Sequence, residues 1–416
     1  MPVTGRCYSN RYYMKSESLP VLHPVAGFRL GTTSAGIRKP GRQDLVVMEL
    51  AEGSACAAVF TRNEFCAAPV IVAREHIAGT APACLIVNTG NANAGTGATG
   101  LADARACCDV AAGLARVVPE AVLPFSTGVI GEPLAVDRLI AGLPGAFTQL
   151  SEDGWAAAAT GIMTTDTVPK GASRRIELDG HAVTVTGIAK GSGMIRPDMA
   201  TMLAFIATDA AVDTATLQRC LWEAVDKSFN RITVDGDTST NDACVLVATG
   251  KSPAPRIVAD DASLVVFGET VTAVCVELAQ AIVRDGEGAT RFVTVTVEQG
   301  ADSRECLQVA YTIAHSPLVK TALFAGDPNW GRILAAVGRA GIGNLDIAGV
   351  EIYLDDVCIV RDGGRAASYA EADGERVLSR SEYEIRVVLG RGESREQVWT
   401  CDLSYDYVKI NAEYRS

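Results

Sequence analysis

The chain has 416 residues, of which 48% are hydrophobic and 21% charged, and its formal net charge is -12. This composition predicts a globular protein with a large core, built as two domains or one large layered domain. The acidic balance argues against nucleic acids and anionic membranes as partners, and no apolar run is long enough to predict a membrane span.

The first predicted elements combine a buried strand with helices. The short apolar run at residues 84–88 predicts a strand, which leads through a glycine-rich loop to a helix at residues 101–117. Apolar residues at helical spacing predict another helix at residues 213–229, behind an Asp or Thr cap. The chain therefore mixes the two kinds of secondary structure.

The second half of the chain continues this mixture. Helical spacing predicts a helix at residues 265–283, and strict alternation predicts a strand at residues 291–300. Residues 350–360 are typical of a hairpin that turns at Asp355 and Asp356. The last fifty residues carry mostly strand signals, so we expect an α+β fold.

A glycine-rich turn lies near the middle of the chain, between two strand-like stretches. Gly191 and Gly193 permit backbone angles that are closed to other residues, and Pro197 fixes its own φ. Thr201 follows and opens the apolar run TMLAFIAT. The pattern predicts a constrained turn that delivers a threonine to the start of a buried strand. Spacing alone favours an ordinary strand threonine over a catalytic one.

The cysteines and histidines do not indicate a metal site. Twelve cysteines are scattered without a CxxC pair, and the four histidines lie far apart. Scattered cysteines in a long acidic chain predict buried, reduced thiols in the cytoplasm. The first twenty residues lack the apolar stretch of a secretory signal.

The turn and several other segments carry a family resemblance. KGSGMIRPDMATML at residues 190–203 resembles the signature of the ornithine acetyltransferase family, also called bifunctional glutamate N-acetyltransferases. The other family-like segments, in chain order, are NTGNANAGTG, FSTGVIGEPL, TTDTVPK, FNRITVDGDTSTND, GDPNWGRI and KINAEYRS. Together they cover essentially the whole chain after about residue 20.

The resemblance implies a self-cleaving precursor. Cleavage between Ala200 and Thr201 would give an alpha chain, residues 1–200, and a beta chain, residues 201–416, that assemble as two copies of each. The implied fold is an α+β layered sandwich of helices over packed mixed β-sheets, of the N-terminal-nucleophile kind. The implied site is shared by the two chains.

The resemblance also implies the chemistry at Thr201. Its hydroxyl would act as nucleophile and its freed α-amino group, with an ordinary pKa of about 7.7–8.0, as general base. An acetyl group would pass from N-acetylornithine to Thr201 and then to glutamate. No cofactor or metal is expected, and acetyl-CoA is a second donor that the family allows.

Further residues match family positions that hold the substrate and stabilise charge. Thr127 and Gly128 match an oxyanion-hole pair, although the residues alone are typical of a polar turn. Lys190 matches a lysine that holds a carboxylate, and Glu287 a glutamate that can pair with the ornithine ammonium. The remaining implied substrate contacts are Thr167, with Thr165 as the rival, Asn411 and Ser416.

Three other functions remain as alternatives. GTGATG at residues 95–100 fits a dinucleotide-binding fingerprint, but a polar loop separates it from the preceding strand and no acidic residue follows at the right distance. A self-processing aminopeptidase or amidase would use the same threonine and pass the acyl group to water. A binding protein without catalysis would have no need of a cleavable Ala-Thr bond.

Overall fold

The computed structural model describes residues 19–38, 41–196, 202–259 and 261–413. Within these ranges the chain forms two units, residues 19–282 and residues 283–413. They are called here the N-terminal unit and the C-terminal unit. This boundary separates two units by packing. The predicted boundary between residues 200 and 201 is a site of covalent cleavage, so the packing boundary does not test it.

The N-terminal unit contains ten strands and six helices among its described residues. The strands are β1 Phe28–Thr33, β2 Leu45–Leu50, β3 Ala55–Phe60, β4 Cys84–Asn91, β5 Val122–Val129, β6 Lys170–Leu178, β7 His181–Lys190, β8 Leu203–Thr208, β9 Ile232–Thr233 and β10 Ala243–Ala248. The helices are α1 Ala68–Gly79, α2 Gly97–Ala115, α3 Val136–Thr148, α4 Trp155–Gly161, α5 Thr214–Lys227 and α6 Ala262–Arg284.

Two mixed sheets pack face to face in this unit. One has the strand order β1-β2-β4-β5 and the other β3-β10-β8-β7-β6. The first pairs β4 with β5 in parallel, and the second pairs β8 with β10 in parallel. Phe125 of one sheet meets Phe205 of the other edge to face, with ring centroids 5.2 Å apart. The strands are apolar on both faces because both faces are covered.

Helices cover the outer faces of the two sheets. Ala104 of α2 and Leu143 of α3 join a buried cluster on the outer face of the first sheet. On the second sheet, Gly187 of β7 lacks a side chain where Val274 and Leu278 of α6 lie. Helix, sheet, sheet and helix therefore form four layers, which confirms the predicted α+β layered sandwich.

Helix α6 is long and strongly apolar. By length and hydropathy alone it could cross a membrane, although 39% of its most apolar window is buried. The core helix of a soluble protein meets the same criterion, so this is weak evidence of a span. Phe267, Val271 and Leu278 are fully buried, and this packing explains the apolar composition.

The C-terminal unit has one mixed sheet with the strand order β14-β13-β12-β15-β11-β16 among its own strands. Its core joins β11 and β12 to α7, with Val295, Ile352 and Val309 fully buried. The strands are β11 Phe292–Gly300, β12 Glu351–Leu354, β13 Val357–Arg361, β14 Gly364–Arg365, β15 Glu382–Val388 and β16 Ser394–Cys401. The helices are α7 Ser303–Ala314, α8 Pro317–Ala325, α9 Trp330–Gly338, α10 Glu371–Leu378 and α11 Tyr405–Ala412.

Most predicted elements are confirmed, with shifted ends. Helix α5 begins after Asp213, whose side chain accepts a hydrogen bond from the Thr216 N–H at 3.0 Å. The hairpin of β12 and β13 turns at Asp355, whose φ is 49°. Helix α2 begins at Gly97, four residues earlier than predicted, because the glycines continue into the helix. The prediction of mostly strand at the end of the chain is wrong, since α10 and α11 lie there.

Candidate active site

Thr127 and Gly128 lie near the end of β5, in a distorted stretch of its pairing with β4. The register shifts between Gly90 and Asn91, and Gly128 has a φ of +135°. A Cβ at Gly128 would stand 2.3 Å from the Gly90 carbonyl carbon and 2.5 Å from the Asn91 nitrogen. Only glycine fits there, because neighbouring backbone occupies the space of any side chain.

The polar side chains around this strand end are buried. Thr127 is 4% exposed, and its neighbour across the ladder is Thr89. The Thr89 hydroxyl is buried and has no hydrogen-bond partner within the described chain. The Ser126 hydroxyl lies 2.5 Å from Oδ1 of Asn88. The strand end therefore combines strained backbone with buried hydroxyl groups, of which that of Thr89 has no partner among the described residues.

Asn241 holds the same region from the second sheet, and its role was not foreseen from the sequence. Its Nδ2 donates to the Ala92 carbonyl at 2.6 Å and to the Ser126 carbonyl at 2.9 Å. Asn241 is 6% exposed, and the Thr240 hydroxyl donates to its Oδ1 at 2.6 Å. The available signal was the family-like segment FNRITVDGDTSTND, from which no single residue had been singled out.

Lys190 is the last residue of β7, on the strand that pairs with β8. Thr201 and Ala200 lie outside the described residues, which resume at Met202. The Ala243 N–H donates to the Met202 carbonyl at 3.0 Å. Leu203 pairs with Lys190 on one side and with Ala243 on the other. Ala243 follows Asn241 by two residues, and Asn241 donates to the carbonyl of Ser126, the residue before Thr127. The paired residues Lys190, Leu203 and Ala243 therefore lie near Thr127 and Gly128.

Asp166, beside Lys190, is a buried carboxylate with several donors. Its Oδ1 accepts from Lys170 Nζ at 2.6 Å and from the Gly191 N–H at 2.8 Å. Its Oδ2 accepts from the Thr164 N–H at 2.9 Å. Burial alone would raise the pKa of Asp166, but the charges of Lys170 and Lys190 and these hydrogen bonds lower it to about 2. Asp166 therefore stays ionised and ties the turn to β6.

The predicted substrate threonine flanks Asp166. Thr167 is exposed and Thr165 is half-buried. Both lie within one residue of the buried carboxylate, so the surroundings of Asp166 do not separate them. The choice between the two residues stays a prediction in favour of Thr167.

Asp235 anchors the last described residues before residue 197. Its two carboxylate oxygens accept the Met194 N–H at 2.6 Å and the Ile195 N–H at 2.9 Å. Met194 has a φ of 56°, which is unusual for a residue with a side chain. The Ile195 carbonyl accepts from the Thr233 hydroxyl at 3.0 Å and the Val234 N–H at 2.8 Å. The approach to residues 197–201 is thus held firmly.

Glu287 and Asn411 meet in the C-terminal unit, although 124 residues separate them. Asn411 Nδ2 donates to Glu287 Oε2 at 2.8 Å. Glu287 is 7% exposed, whereas Asn411 lies on the exposed helix α11. The structure therefore brings together two residues that the resemblance had implied separately. Ser416, the other C-terminal candidate, lies outside the described residues.

The loop that carries Glu287 is fastened to the segment before α11. Asp402 Oδ1 accepts from the Thr290 N–H at 2.8 Å and the Arg291 N–H at 2.9 Å. The Ser404 hydroxyl donates to the Gly288 carbonyl at 2.6 Å. The position of Glu287 thus depends on backbone contacts as well as on Asn411.

The described residues offer no evident place for a metal ion. No group of three or more His, Cys, Asp or Glu side chains with a suitable arrangement occurs among them. The described cysteines are free thiols, and burial raises the pKa of Cys56 to about 12 and of Cys275 to about 12. The absence of a cofactor stays a prediction.

Buried polar groups gathered at strand ends, beside strained backbone, are typical of enzyme active sites. The model of the ArgJ family matches residues 29–416. The chain belongs to the ArgJ family, which confirms the resemblance found in its sequence.

Individual relatives agree with this assignment. The chain is 59% identical over 399 residues to the arginine biosynthesis bifunctional protein ArgJ of Pseudomonas syringae pv. tomato, covering 96% of this chain and 98% of the relative. Crystal structures of two other proteins are similar in sequence. The arginine biosynthesis bifunctional protein ArgJ of Bacillus halodurans is 38% identical, over 51% of this chain and 100% of that chain, with a TM-score of 0.49. An ornithine acetyltransferase of Mycobacterium tuberculosis, complexed with ornithine, is 35% identical over 42% and 93%, with a TM-score of 0.38.

Proposed function

We propose that this chain is an acetyltransferase of arginine biosynthesis that moves the acetyl group of N2-acetyl-L-ornithine to L-glutamate. The observation that carries the proposal is membership of the ArgJ family over nearly the whole chain. The geometry around Gly128 and Asn241 supports it, because a developing oxyanion needs donors on rigid backbone.

The precursor cuts itself between Ala200 and Thr201. The Thr201 hydroxyl attacks the Ala200 carbonyl, the acyl group moves from nitrogen to oxygen, and water opens the resulting ester. The anchored turn at Met194 on one side and the paired strand β8 on the other support this step, since both limit the freedom of the intervening segment. The products are chains of residues 1–200 and 201–416.

The mature enzyme then works in two halves. The Thr201 hydroxyl attacks the acetyl carbonyl while the α-amino group of the same residue takes its proton. The carbon–nitrogen bond breaks, and ornithine leaves with that proton. The amine of glutamate then attacks the acetyl-Thr201 ester and regenerates the free hydroxyl. Thr127 and the Gly128 N–H stabilise the oxyanion in each half.

Charged side chains select the substrate. Lys190 holds a carboxylate, and Glu287 pairs with the ornithine ammonium. The hydrogen bond from Asn411 supports this role of Glu287, because it orients the carboxylate without neutralising it. Thr167, with Thr165 as the rival, and Ser416 supply further contacts.

Several wider features belong to the same proposal. The enzyme needs no metal or cofactor, and acetyl-CoA serves as a second acetyl donor in the bifunctional reading. Two copies of each cleaved chain assemble into a heterotetramer. The protein works in the cytoplasm, where its free thiols stay reduced.

A self-processing aminopeptidase or amidase, the alternative function, would differ from the acetyltransferase only in the molecule that accepts the acyl group. Water would then resolve the acyl-threonine, and glutamate would be unnecessary. Incubation with acetylornithine, with and without glutamate, separates the two readings. Transfer predicts ornithine release that depends on glutamate beyond the first turnover, whereas release at the same rate without glutamate would replace transfer by hydrolysis.

Intact mass spectrometry of the purified protein beside Thr201→Ala tests the self-cleavage. We expect two fragments of similar size from the natural sequence and one intact, inactive chain from the variant. Thr272→Ala is the matched control, because it removes a threonine hydroxyl whose hydrogen bond, among the described residues, goes to the Gly268 carbonyl within α6; it should be cleaved normally. An intact natural chain that transfers acetyl groups at full rate would overturn the mechanism.

A further inference from the structure

Thr89 is a buried threonine that the proposed mechanism does not use. It lies near the end of β4 and is 2% exposed. Its backbone N–H donates to the Asp44 carbonyl at 2.9 Å, but its hydroxyl oxygen is buried and has no hydrogen-bond partner within the described chain. A buried hydroxyl without a partner costs free energy, because water can no longer bond to it. The hydroxyl of Thr89 therefore weakens the fold.

Thr89 faces the space between the two sheets of the N-terminal unit. Val87 of β4 and its partner Phe125 of β5 both belong to the buried cluster in that space. Side chains alternate along a strand, so the residues two positions further on, Thr89 and Thr127, lie on the same face. They pair with each other, and the register of the two strands shifts only beyond them, at Asn91. Thr89 and Thr127 are called here the threonine pair.

The threonine pair faces the strand that follows Thr201 in the sequence. Leu203 and Phe205 of β8 belong to the same buried cluster, and the rings of Phe205 and Phe125 meet edge to face, with centroids 5.2 Å apart. Leu203 follows Thr201 by two residues. The threonine pair therefore lies on the side of the first sheet that faces the strand joined to the proposed nucleophile.

The opposite face of the same strand end has no such unpartnered hydroxyl. Asn88 and Ser126 also pair in this ladder, and the Ser126 hydroxyl donates to Oδ1 of Asn88 at 2.5 Å. Another buried threonine of this unit, Thr208, accepts the Ala210 N–H at 3.1 Å. The missing partner is thus a property of Thr89 and not of the strand end as a whole.

Thr127 can become the partner of Thr89. Neighbouring strands lie about 4.8 Å apart, and a threonine hydroxyl can donate, accept and change rotamer. When Thr127 donates to an oxyanion, its own oxygen becomes a better acceptor, because hydrogen bonds in a chain polarise one another. Thr89 then gains a partner while negative charge develops. An interaction that is made only at that stage lowers the barrier without strengthening substrate binding.

We propose that Thr89 is a positioning residue of the acetyl transfer, whose hydroxyl donates to Thr127 and thereby orients and strengthens the hydrogen bond from Thr127 to the oxyanion. This inference rests on the proposed role of Thr127. The Thr89 hydroxyl weakens the fold but stabilises the transition state. Its removal should therefore slow the reaction without lowering the stability of the protein.

Steady-state kinetics and urea unfolding of Thr89→Val test the inference, with N-acetylornithine and glutamate as substrates. Valine keeps the branched shape and removes the hydroxyl. We expect kcat per cleaved chain to fall about tenfold, which corresponds to one ordinary hydrogen bond, with both KM values unchanged. The midpoint of urea unfolding should stay the same or rise. Thr89→Ser keeps the hydroxyl and should recover most of the lost kcat.

Thr208→Val is the matched control. Thr208 is a fully buried strand residue of the same unit, and its hydroxyl has a partner. Valine there removes an existing hydrogen bond, so we expect a lower midpoint of urea unfolding and a normal kcat. A general effect of valine in a buried strand would not produce opposite results at the two positions.

A double substitution shows whether Thr89 acts through Thr127. Thr127→Val should lower kcat by itself, and adding Thr89→Val should then cause no further loss, since the partner of Thr89 is already gone. The same tenfold loss in both backgrounds would show that Thr89 acts independently of Thr127, and would overturn the positioning role. The single substitutions at Thr89 remain decisive if Thr127→Val is not cleaved.

The outcomes distinguish the inference from the proposed function. A normal kcat in Thr89→Val, an equal loss of kcat in Thr89→Ser, or a midpoint of urea unfolding that falls as in Thr208→Val overturns the inference and leaves the acetyltransferase intact. Natural protein that transfers no acetyl group from acetylornithine to glutamate contradicts the proposed function, and the inference is lost with it.

Discussion

Two regions of the molecule are built in opposite ways. The first is the strand end of Thr127 and Gly128 with its supporting Asn241, and the second is the pair of Glu287 and Asn411. In the first, backbone groups are held by a buried amide, and no side chain fits at Gly128. In the second, a carboxylate is oriented by an exposed helix near the chain end. We therefore expect the first region to act on the transition state, where small displacements matter, and the second to act in charge recognition, which tolerates them.

Among the substitutions that test this comparison, Gly128→Ala should reduce activity the most. The added Cβ would stand 2.3 Å from backbone carbon, so the strand end must move and take the Gly128 N–H with it. Losing one oxyanion donor lowers kcat by a factor of about 100 to 1000. We expect a loss at the upper end of that range, measured by steady-state kinetics on cleaved protein.

Gly113→Ala is the control for Gly128→Ala. Gly113 is exposed on α2 of the same unit, with no atom within 4 Å of an added Cβ. We expect unchanged kinetics and a gain of up to about 1 kcal/mol in the free energy of unfolding. Near-normal kcat in Gly128→Ala would remove this strand end from the mechanism.

Asn241→Ala should have the next largest effect. It leaves the Ala92 and Ser126 carbonyls without their donor, which destabilises the fold by about 1–3 kcal/mol per group. The adjoining Thr127 and Gly128 lose their support, so we expect kcat to fall by about tenfold to a hundredfold with little change in KM. Kinetics and urea unfolding are measured on the same preparation.

Gln218→Ala separates stability from catalysis in that experiment. Gln218 also bonds strand backbone through its amide, at the half-buried Ala58 of β3, donating to the Ala58 carbonyl at 3.2 Å and accepting from the Ala58 N–H at 3.3 Å. We expect a similar loss of stability with normal kcat. Equal effects of the two variants on kcat would show that Asn241 acts only through stability.

Glu287→Gln should produce the smallest of these changes and should affect binding. Glutamine keeps the shape and can still meet Asn411, but it lacks the charge that attracts an ammonium. Hydrogen bonds to charged groups contribute about 1.5–3 kcal/mol, so KM for acetylornithine should rise about tenfold or more. KM for glutamate should stay constant, because glutamate has no side-chain ammonium.

Glu269→Gln is the control for this charge change, since Glu269 is exposed on α6 of the other unit. It should leave both KM values unchanged. A Glu287→Gln variant that loses kcat while keeping KM for acetylornithine would place Glu287 among the groups that stabilise the transition state, and the contrast between the two regions would disappear.

Much of the fold could be predicted because local signals were strong. The Asp213 cap, the helical spacing after it and the turn at Asp355 each depend on residues close in sequence. The end of the chain was predicted less well. Helix α11 combines polar and apolar residues without a clear helical stripe and has no buried residue, so a pattern based on burial could not find it.

Prediction of the site residues from the sequence was limited in a similar way. The family resemblance assigned roles to Thr127, Gly128, Lys190 and Glu287 but none to Asn241, whose importance depends on its hydrogen bonds to the first sheet. A motif records which residues occur in order. It does not record which buried carbonyl oxygens a side chain reaches, and that property gives Asn241 its place in the structure.

By itself the sequence determined the family, the mixture of helices and strands, and the glycine-rich turn before Thr201, because these depend on residue order and local backbone preference. Only the tertiary structure decided that Asn241 supports the strand end, that Glu287 meets Asn411, and that the buried Asp166 receives three donors. The physical reason is that hydrogen bonds and charge act through space over a few ångströms, whereas the partners lie up to 149 residues apart along the chain.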